Sequence, residues 1–226
     1  ACAVAYFFWQ PSPFGDDVHD IVFSYERAAI PLEIRQREPL SNCQFGEAVF
    51  DASDASELCA APDADLPAFP AKSVWLSLVT SLFLHGSLWH LGGTLLFLWV
   101  FGNNVEDRLG HVPFALFYLL GGTVATIGHM VTDPSSDVPV VGASGAIAAV
   151  MGAYLIWYPR ARVFTLVMFF LPVRLQARWV LVVWFVLQFF TSPNSGVAWM
   201  AHVVGFLFGA AVGWFLRPRA DPVTQW

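Results

Sequence analysis

Residues 142–158 read GASGAIAAVMGAYLIWY, an apolar stretch that contains no charged side chain. A helix rises about 1.5 Å per residue and needs about 20 residues to cross a hydrocarbon core about 30 Å thick, so this stretch is close to the minimal length of a membrane span. Comparable apolar stretches occupy about 84–102, 113–131, 176–191 and 197–216. The sequence therefore predicts an all-α, polytopic membrane protein.

The composition of the chain supports a lipid environment. Of its 226 residues, 57% are hydrophobic and 12% are charged, whereas a soluble domain carries about 25% charged residues. The 11 Lys and Arg residues face 17 Asp and Glu, which gives a formal net charge of −6. A nucleic-acid-binding protein needs a basic excess, and a disordered chain needs low hydrophobicity. We therefore expect the lipid bilayer to be a partner of this chain and expect no nucleic acid.

The apolar stretches divide the chain into one membrane domain over residues 1–226. Residues 1–9 are apolar but too short to cross a bilayer as a helix, so we expect a first span whose N-terminal part is missing; a signal-peptide remnant is the alternative. Six spans then result. The remaining predicted parts are an acidic loop over 10–72, five spans within 73–216, and a tail over 217–226.

Charged residues are distributed unevenly between the two ends of the predicted spans. The acidic loop holds most of the Asp and Glu, and the 132–141 connection holds two more. The connections over 103–112 and 159–175 and the tail carry most of the arginines: Arg108, Arg160, Arg162, Arg174, Arg217 and Arg219. Because Lys and Arg are enriched in cytoplasmic loops, this bias predicts cytoplasmic termini and an extracytoplasmic acidic loop.

Two features of the acidic loop allow more specific predictions. Cys43 and Cys59 either form a disulfide, which an oxidising compartment would favour, or remain two thiols. A disulfide closing so short a loop would stabilise the fold by about 3 kcal/mol in the entropic model. Residues 25–37, YERAAIPLEIRQR, mix apolar and charged side chains and are expected to form one short interfacial helix.

Three polar residues lie where lipid disfavours them, each near the start of an apolar stretch: His90, Ser144 and His202. The predicted topology makes these three spans run from outside to inside, so all three side chains fall at comparable depth in the outer half of the membrane. Thr94 lies four residues after His90 and shares its helix face. This coincidence of depth indicates a polar site within the membrane.

Small residues on two of these spans predict how the polar side chains meet. Gly205, Gly209 and Gly213 form two consecutive GxxxG units, and the span that starts at Ser144 has a small-residue face of its own, made of Gly145, Ala148, Ala149 and Gly152. Such faces allow helices to approach closely in lipid. Packing them together would bring His202 towards Ser144. The alternative is that these residues only pack the bundle of a transporter or channel.

A serine and a histidine in contact favour acyl transfer to water. Neutral imidazole can take the proton of a serine hydroxyl, and unpaired N–H groups at the start of a helix suit a developing oxyanion. His90 and Thr94 could add donors. Other templates fit less well: Ala146 breaks the G-x-S-x-G motif, and no span pairs carboxylates or groups Cys and His as a zinc site does. We expect no cofactor and no metal.

Four motifs, in order along the chain, resemble those of the rhomboid intramembrane serine proteases. They are Phe83-Leu84-His85-Gly86 with His90, the stretch VFGNNVEDRLG over 100–110, Gly142-Ala143-Ser144-Gly145, and Ala201-His202-Val203-Val204-Gly205-Phe206. The resemblance extends over nearly the whole chain, from the Tyr25–Pro39 stretch through Pro218.

The resemblance implies a six-helix rhomboid bundle and assigns a role to each site residue. Ser144 would be the nucleophile and His202 the general base, without an acidic third member. His90 and the Ser144 N–H would line the oxyanion hole, and Gly142 would support that turn. Substrates would be single-span membrane proteins cut in or near the transmembrane segment. We expect an integral protein of a bacterial plasma membrane.

One position departs from the family pattern. Rhomboid proteases usually carry Asn four residues after the oxyanion-hole histidine, where this chain has Thr94. Threonine is a shorter donor and prefers its own helix carbonyl, so slower turnover is expected. The departure keeps a second hypothesis open, a rhomboid-like protein that binds membrane helices but cleaves them weakly. A small transporter is the third.

Overall fold

The computed structural model describes residues 2–11, 18–167, 171–192 and 196–217. The chain forms two compact units, one of Ala1–Leu95 with Thr126–Ser144 and one of Leu96–Ala125 with Gly145–Trp226. Each unit is therefore built from two separate segments of the sequence. The single membrane domain expected over 1–226 stays a prediction.

The first unit begins with helix α1 (Cys2–Phe8) and continues into the acidic loop. The described part of the acidic loop contains four helices: α2 (Val18–Arg27), α3 (Pro31–Gln36), α4 (Asn42–Val49) and α5 (Ala52–Ala60). Capping side chains explain two of the helix starts. Ser41 and Gln44 form a reciprocal capping box at α4, and the Asp51 carboxylate accepts from the Ser53 and Asp54 N–H groups at α5.

The prediction of one helix over residues 25–37 is wrong. Helix α2 ends at Arg27 and α3 begins at Pro31, with Ile30 extended between them at φ −119° and ψ 126°. A proline ring disfavours the α conformation in the residue before it but fits the first turn of a new helix. The position of Pro31 therefore divides the stretch.

An apolar cluster and a disulfide help to hold the acidic loop together. Tyr25, Ile30 and Leu40 form a buried cluster against which Phe45 and Phe69 pack. A disulfide joins Cys43 in α4 to Cys59 in α5, with their Cα atoms 4.4 Å apart. The loop thus has an apolar core and a covalent link of its own.

A buried ion pair lies beside this apolar cluster. The Lys72 ammonium is 2.6 Å from a Glu33 carboxylate oxygen, and both side chains are 1% exposed or less. The other Glu33 oxygen accepts from the Leu40 N–H at 3.0 Å, and Lys72 donates to the Tyr25 carbonyl at 2.6 Å. Burial raises the pKa of the Glu33 carboxyl, and the neighbouring ammonium opposes that rise. The ion pair therefore links α2, α3 and the end of the loop.

The first predicted long span starts later and continues further than expected. After α6 (Val74–Thr80) and a 3₁₀ turn (Ser81–Phe83), helix α7 (Leu88–Phe97) begins, and a π turn (Leu98–Gly102) leads into α8 (Asn103–Leu109). Helix α8 lies where a connecting loop was expected. It ends before Gly110, whose φ is +85°. A right-handed helix needs a negative φ, so the helix stops at this glycine.

The remaining helices match the other apolar stretches to within a few residues. They are α9 (His111–Thr132), α10 (Ser144–Trp157), α11 (Ala177–Gln188) and α12 (Trp199–Phe215). Among the described residues, α9 alone is a single helix long and apolar enough to cross a membrane. Helices Val74–Phe83 and Leu88–Leu109, bent by 79°, would count as a second span if taken together. The count of six spans stays a prediction.

An antiparallel hairpin replaces the loop expected between α10 and α11. Strands β1 (Arg162–Val167) and β2 (Leu171–Gln176) pair with Arg162 opposite Gln176 and Phe164 opposite Arg174. The first strand alternates the β-branched residues Val163, Thr165 and Val167, a pattern typical of strands. The expectation of a wholly α-helical chain is therefore wrong at this hairpin.

Candidate active site

The turn before α10 positions Ser144. Gly142 adopts a φ of +113°, which disfavours any side chain, and its N–H donates to the Ser81 carbonyl at 2.9 Å. Ala143 is fully buried, and Ser144 follows as the first residue of α10. The first N–H groups of a helix have no intrahelical acceptors and lie at the positive end of its dipole. Ser144, which is half-buried, therefore lies beside donors suited to an anionic oxygen.

The ring of His90 packs directly on Gly142. A Cβ atom built on Gly142 would lie 2.7 Å from Cε1 and 2.8 Å from Nε2 of that ring, so a side chain at 142 would displace the imidazole. The His90 N–H donates to the Ser87 hydroxyl at 3.1 Å in the first turn of α7. Two of the predicted oxyanion residues, His90 and Gly142, thus lie in contact within the first unit.

His85 supports His90, although the sequence marked it only as part of a motif. Its ring is 1% exposed and meets the His90 ring edge-on, with the centroids 5.1 Å apart. The side chain of Gln10 bonds both the N–H and the carbonyl of His85, each at 3.0 Å. Sequence reasoning missed Gln10. A glutamine directly after a short apolar stretch is expected simply to mark the polar end of that stretch, so it did not indicate a contact with His85.

Thr94 lies in α7 one turn after His90 and is 6% exposed. The structure thus retains the shared helix face that the spacing of four residues predicted. Its role as an oxyanion donor remains a prediction.

Within the second unit, α10 and α12 are in backbone contact through glycines, a contact that we call the glycine seam (Gly145, Gly152, Gly205 and Gly209). A Cβ at Gly205 would overlap the Gly145 carbonyl, and a Cβ at Gly209 would overlap the Ala149 carbonyl. From the other helix, a Cβ at Gly152 would overlap the Phe206 carbonyl. The prediction that the two small-residue faces pack together is confirmed.

The glycine seam extends to the first residues of both helices. A Cβ at Gly145 would lie 3.7 Å from the Cβ of Ala201 and 3.6 Å from its carbonyl oxygen. Gly145 follows Ser144 in the sequence, and Ala201 precedes His202. The first turn of α10 therefore packs against the first turn of α12.

His202 is held by a glutamine that sequence reasoning did not select. Its Nδ1 is 2.7 Å from Oε1 of Gln188, whose own Nε2 donates to the Trp184 carbonyl at 2.8 Å. The Trp184 ring lies 5.7 Å from the His202 ring at an interplanar angle of 40°. The sequence did contain a signal for Gln188, since it is an amide inside the apolar stretch 176–191. A polar side chain in a membrane span needs hydrogen-bond partners.

One group of potential metal ligands occurs among the described residues outside this site. The donor atoms of Cys43, Glu47 and Cys59 lie within 4.8 Å of one another. Both sulfurs are joined in the disulfide, and only a thiolate is a metal ligand. In this oxidised form the group offers no metal site.

The chain matches the family model of the rhomboid domain over residues 72–219. It belongs to the rhomboid family. The matched segment includes the turn at Gly142, the glycine seam, and all four motifs that carry the resemblance. Family membership makes the protein a polytopic helical membrane protein, as the apolar stretches predicted.

Curated relatives extend this comparison. Rhomboid protein 1, mitochondrial, of Saccharomyces cerevisiae is 29% identical over 163 residues, which cover 66% of this chain and 44% of the yeast protein. Rhomboid protease GluP of Bacillus subtilis is 39% identical over 85 residues, covering 38% and 16%. The mitochondrial presenilin-associated rhomboid-like protein of Bos taurus is 34% identical over 106 residues, covering 46% and 27%. The chain thus spans less than half the length of these relatives.

Proposed function

We propose that this rhomboid protein is an intramembrane serine protease that hydrolyses a peptide bond in or near the transmembrane segment of a membrane-protein substrate. Ser144 is the nucleophile and His202 the general base. The observation that carries the proposal is the packing of Gly145 against Ala201, because each of these residues is the direct neighbour of one member of the dyad. Rhomboid membership adds support, since serine proteolysis in the membrane is typical of the family.

The proposed chemistry has two half-reactions. In the first, His202 takes the hydroxyl proton of Ser144 while the Ser144 oxygen attacks the scissile carbonyl carbon. The resulting imidazolium then gives that proton to the leaving amine as the peptide C–N bond breaks. Water then attacks the acyl-enzyme ester with His202 again as base, and the carboxylic acid is released as Ser144 regains its proton. Each bond to Ser144 that forms is broken within one cycle, so no external reactant besides water is needed.

The oxyanion of both tetrahedral intermediates needs fixed donors. The N–H groups at the start of α10 supply a positive helix end, and the contact of His90 with Gly142 supports an imidazole donor beside them. We propose that these groups, with the Thr94 hydroxyl, form the oxyanion hole, and that the φ of Gly142 preserves room for the His90 ring.

The proposal includes a topology and a substrate class. Six spans would place both termini in the cytoplasm and the dyad in the extracytoplasmic half of the membrane, where single-span proteins would be cut. Support comes from the arginine-rich connections, which favour the cytoplasmic side. The relatives include mitochondrial proteins as well as a Bacillus protein, so the expectation of a bacterial plasma membrane is left without support.

The proposal is tested by cleavage of a tagged single-span substrate in membranes. Ser144→Ala removes the nucleophile and His202→Ala removes the base, so both variants should lose cleavage to the detection limit while inserting and folding as the parent does. Equal cutting by the parent and both variants would contradict the proposal.

The alternative, a rhomboid-like protein that binds membrane helices, is favoured only by threonine at position 94. Thr94→Asn should accelerate cleavage, because the longer amide is a better-placed donor, and Thr94→Val, of nearly the same shape, should slow it. Loss of a dominant oxyanion donor costs about 2.7–4 kcal/mol of transition-state stabilisation. The binding function would be favoured instead if the parent protein co-purified with the substrate helix and neither the parent nor the Thr94→Asn variant cleaved it.

A further inference from the structure

The contacts of His202 determine which of its nitrogens carries hydrogen. Oε1 of Gln188 is 2.7 Å from Nδ1, close enough for a strong hydrogen bond. The orientation of the Gln188 amide is fixed independently, because its Nε2 donates at 2.8 Å to the Trp184 carbonyl, which can only accept. The oxygen of the amide must therefore face the imidazole.

An amide oxygen only accepts hydrogen bonds, so Nδ1 of His202 must be the donor. Neutral imidazole carries a single N–H, and placing it on Nδ1 leaves the basic lone pair on Nε2. We propose that Gln188 is a positioning residue that holds His202 in the Nδ1–H tautomer, with Nε2 as the base for Ser144; this inference rests on the proposed function.

The burial of Gln188 distinguishes this arrangement from an incidental contact. Its side chain lies in the last turn of α11, an apolar helix, and is 8% exposed. A buried amide is costly unless both its oxygen and its nitrogen have partners, and here both do. The Trp184 ring packs beside the His202 ring at a tilt of 40°. One turn of α11 therefore restricts both the rotation and the tautomer of the imidazole.

The choice of an amide rather than a carboxylate has a chemical consequence. A carboxylate at this position would stabilise the imidazolium form of His202. It would also place a negative charge in an apolar helix, which carries a desolvation cost. An amide orients the ring without adding a charge. The dyad of Ser144 and His202 therefore has an uncharged third member on α11.

Cleavage kinetics across pH test this role. Gln188→Met keeps the length of the side chain but removes the acceptor, and should lower kcat about 10- to 100-fold with little change in KM, as loss of an orienting partner does at other sites. Gln188→Glu retains an acceptor, so it should recover most of kcat and move the acid limb of the kcat/KM profile to higher pH. Gln176→Met, the same substitution at the last residue of β2 and directly before α11, should leave both parameters unchanged.

A purely structural role predicts a different pattern. The folded fraction would then fall in Gln188→Met, kcat per folded molecule would not change, and Gln188→Glu would be the worse variant because it buries a charge. That pattern would overturn the assignment.

A measurement that needs no activity separates this inference from the proposed function. In the Ser144→Ala protein labelled with ¹⁵N-histidine, nitrogen chemical shifts should report His202 protonated at Nδ1, with the signal assigned by its absence in His202→Ala. Gln188→Met should shift the population towards Nε2–H. An imidazole already protonated at Nε2 in Ser144→Ala would refute the role of Gln188 whether or not the protein cleaves substrates. A protein that keeps the Nδ1–H tautomer but cleaves nothing would refute only the proposed protease.

Discussion

The acidic loop and the glycine seam are held together by different physical means. The loop uses helix caps, a disulfide, an apolar cluster and a buried ion pair. The seam between α10 and α12 uses the absence of side chains, so that backbone meets backbone. In water apolar groups cluster because burial removes them from solvent, whereas in lipid helix association depends on close packing. The loop shows the first kind of contact and the seam shows the second.

The difference in physical means implies that substitutions act differently in the two regions. Removing a charged or sulfur-containing partner should damage the acidic loop, and adding a single methyl group should damage the seam. The free energy of unfolding in detergent measures the damage in both regions.

The largest effect is expected at the buried ion pair. Lys72→Met leaves the Glu33 carboxylate buried without its partner, which typically costs about 3–5 kcal/mol. The exposed pair of Arg27 and Glu26, at 2.7 Å, offers a matched control, because Arg27→Met should cost at most about 1 kcal/mol. If Lys72→Met and Arg27→Met had the same free energy of unfolding, the ion pair of Lys72 and Glu33 would not stabilise the loop.

Combining Lys72→Met with Glu33→Leu removes both charges. Since apolar replacement of a whole buried pair is often neutral, the double variant should recover most of the stability lost in Lys72→Met. A double variant no more stable than the single one would show that the hydrogen bond from the Leu40 N–H to the Glu33 carboxylate matters more than the charge of Glu33.

The disulfide is expected to rank second. The Cys43→Ser, Cys59→Ser double variant should lose about 3 kcal/mol, the entropic value for a loop of about 15 residues. The parent protein unfolded in the presence of a reductant should reach the same value, which serves as the control. Stability unaffected by the reductant would mean that α4 and α5 are held by packing alone.

The glycine seam is expected to respond to one methyl group. Gly209→Ala places a Cβ against the Ala149 carbonyl and should cost about 1–3 kcal/mol, the usual range for overpacking. Gly93→Ala is the matched control in α7, where a Cβ meets nothing within 4 Å and alanine favours the helix by up to about 1 kcal/mol. A stabilised Gly209→Ala protein would contradict the backbone contact.

The smallest effect is expected at the cap of α5. The Ser53 hydroxyl and the N–H groups of Asp54 and Ser53 lower the pKa of Asp51, so its contribution to stability is present above the ordinary value of 3.8 and is lost as the pH falls below it. Asp51→Asn keeps an acceptor at the cap but should remove this part of the pH dependence. An unchanged acid profile would show that Asp51 does not contribute.

The sequence located the apolar helices well, because periodicity and charge depletion are local properties. The stretches predicted at 113–131, 142–158 and 197–216 contain helices at His111–Thr132, Ser144–Trp157 and Trp199–Phe215. The packing of small-residue faces was also predictable, since glycine spacing alone indicates where helices can approach.

Other features could not be read from local pattern. The hairpin of β1 and β2 lies in a short segment whose arginines suggested a loop, and the ion pair joins residues 33 and 72, which are far apart in the chain. Likewise, nothing in the sequence pairs Gln10 with His85 or Gln188 with His202.

By itself the sequence determined that this chain belongs in a membrane and where most of its apolar helices run, because hydrophobicity and spacing act along the chain. The similar depth of Ser144, His90 and His202 stays a prediction. Only the tertiary structure decided that the His90 ring rests on Gly142, and that Gln188 presents its oxygen to His202. Those contacts depend on helix rotation and side-chain orientation, which are set by packing between segments distant in sequence.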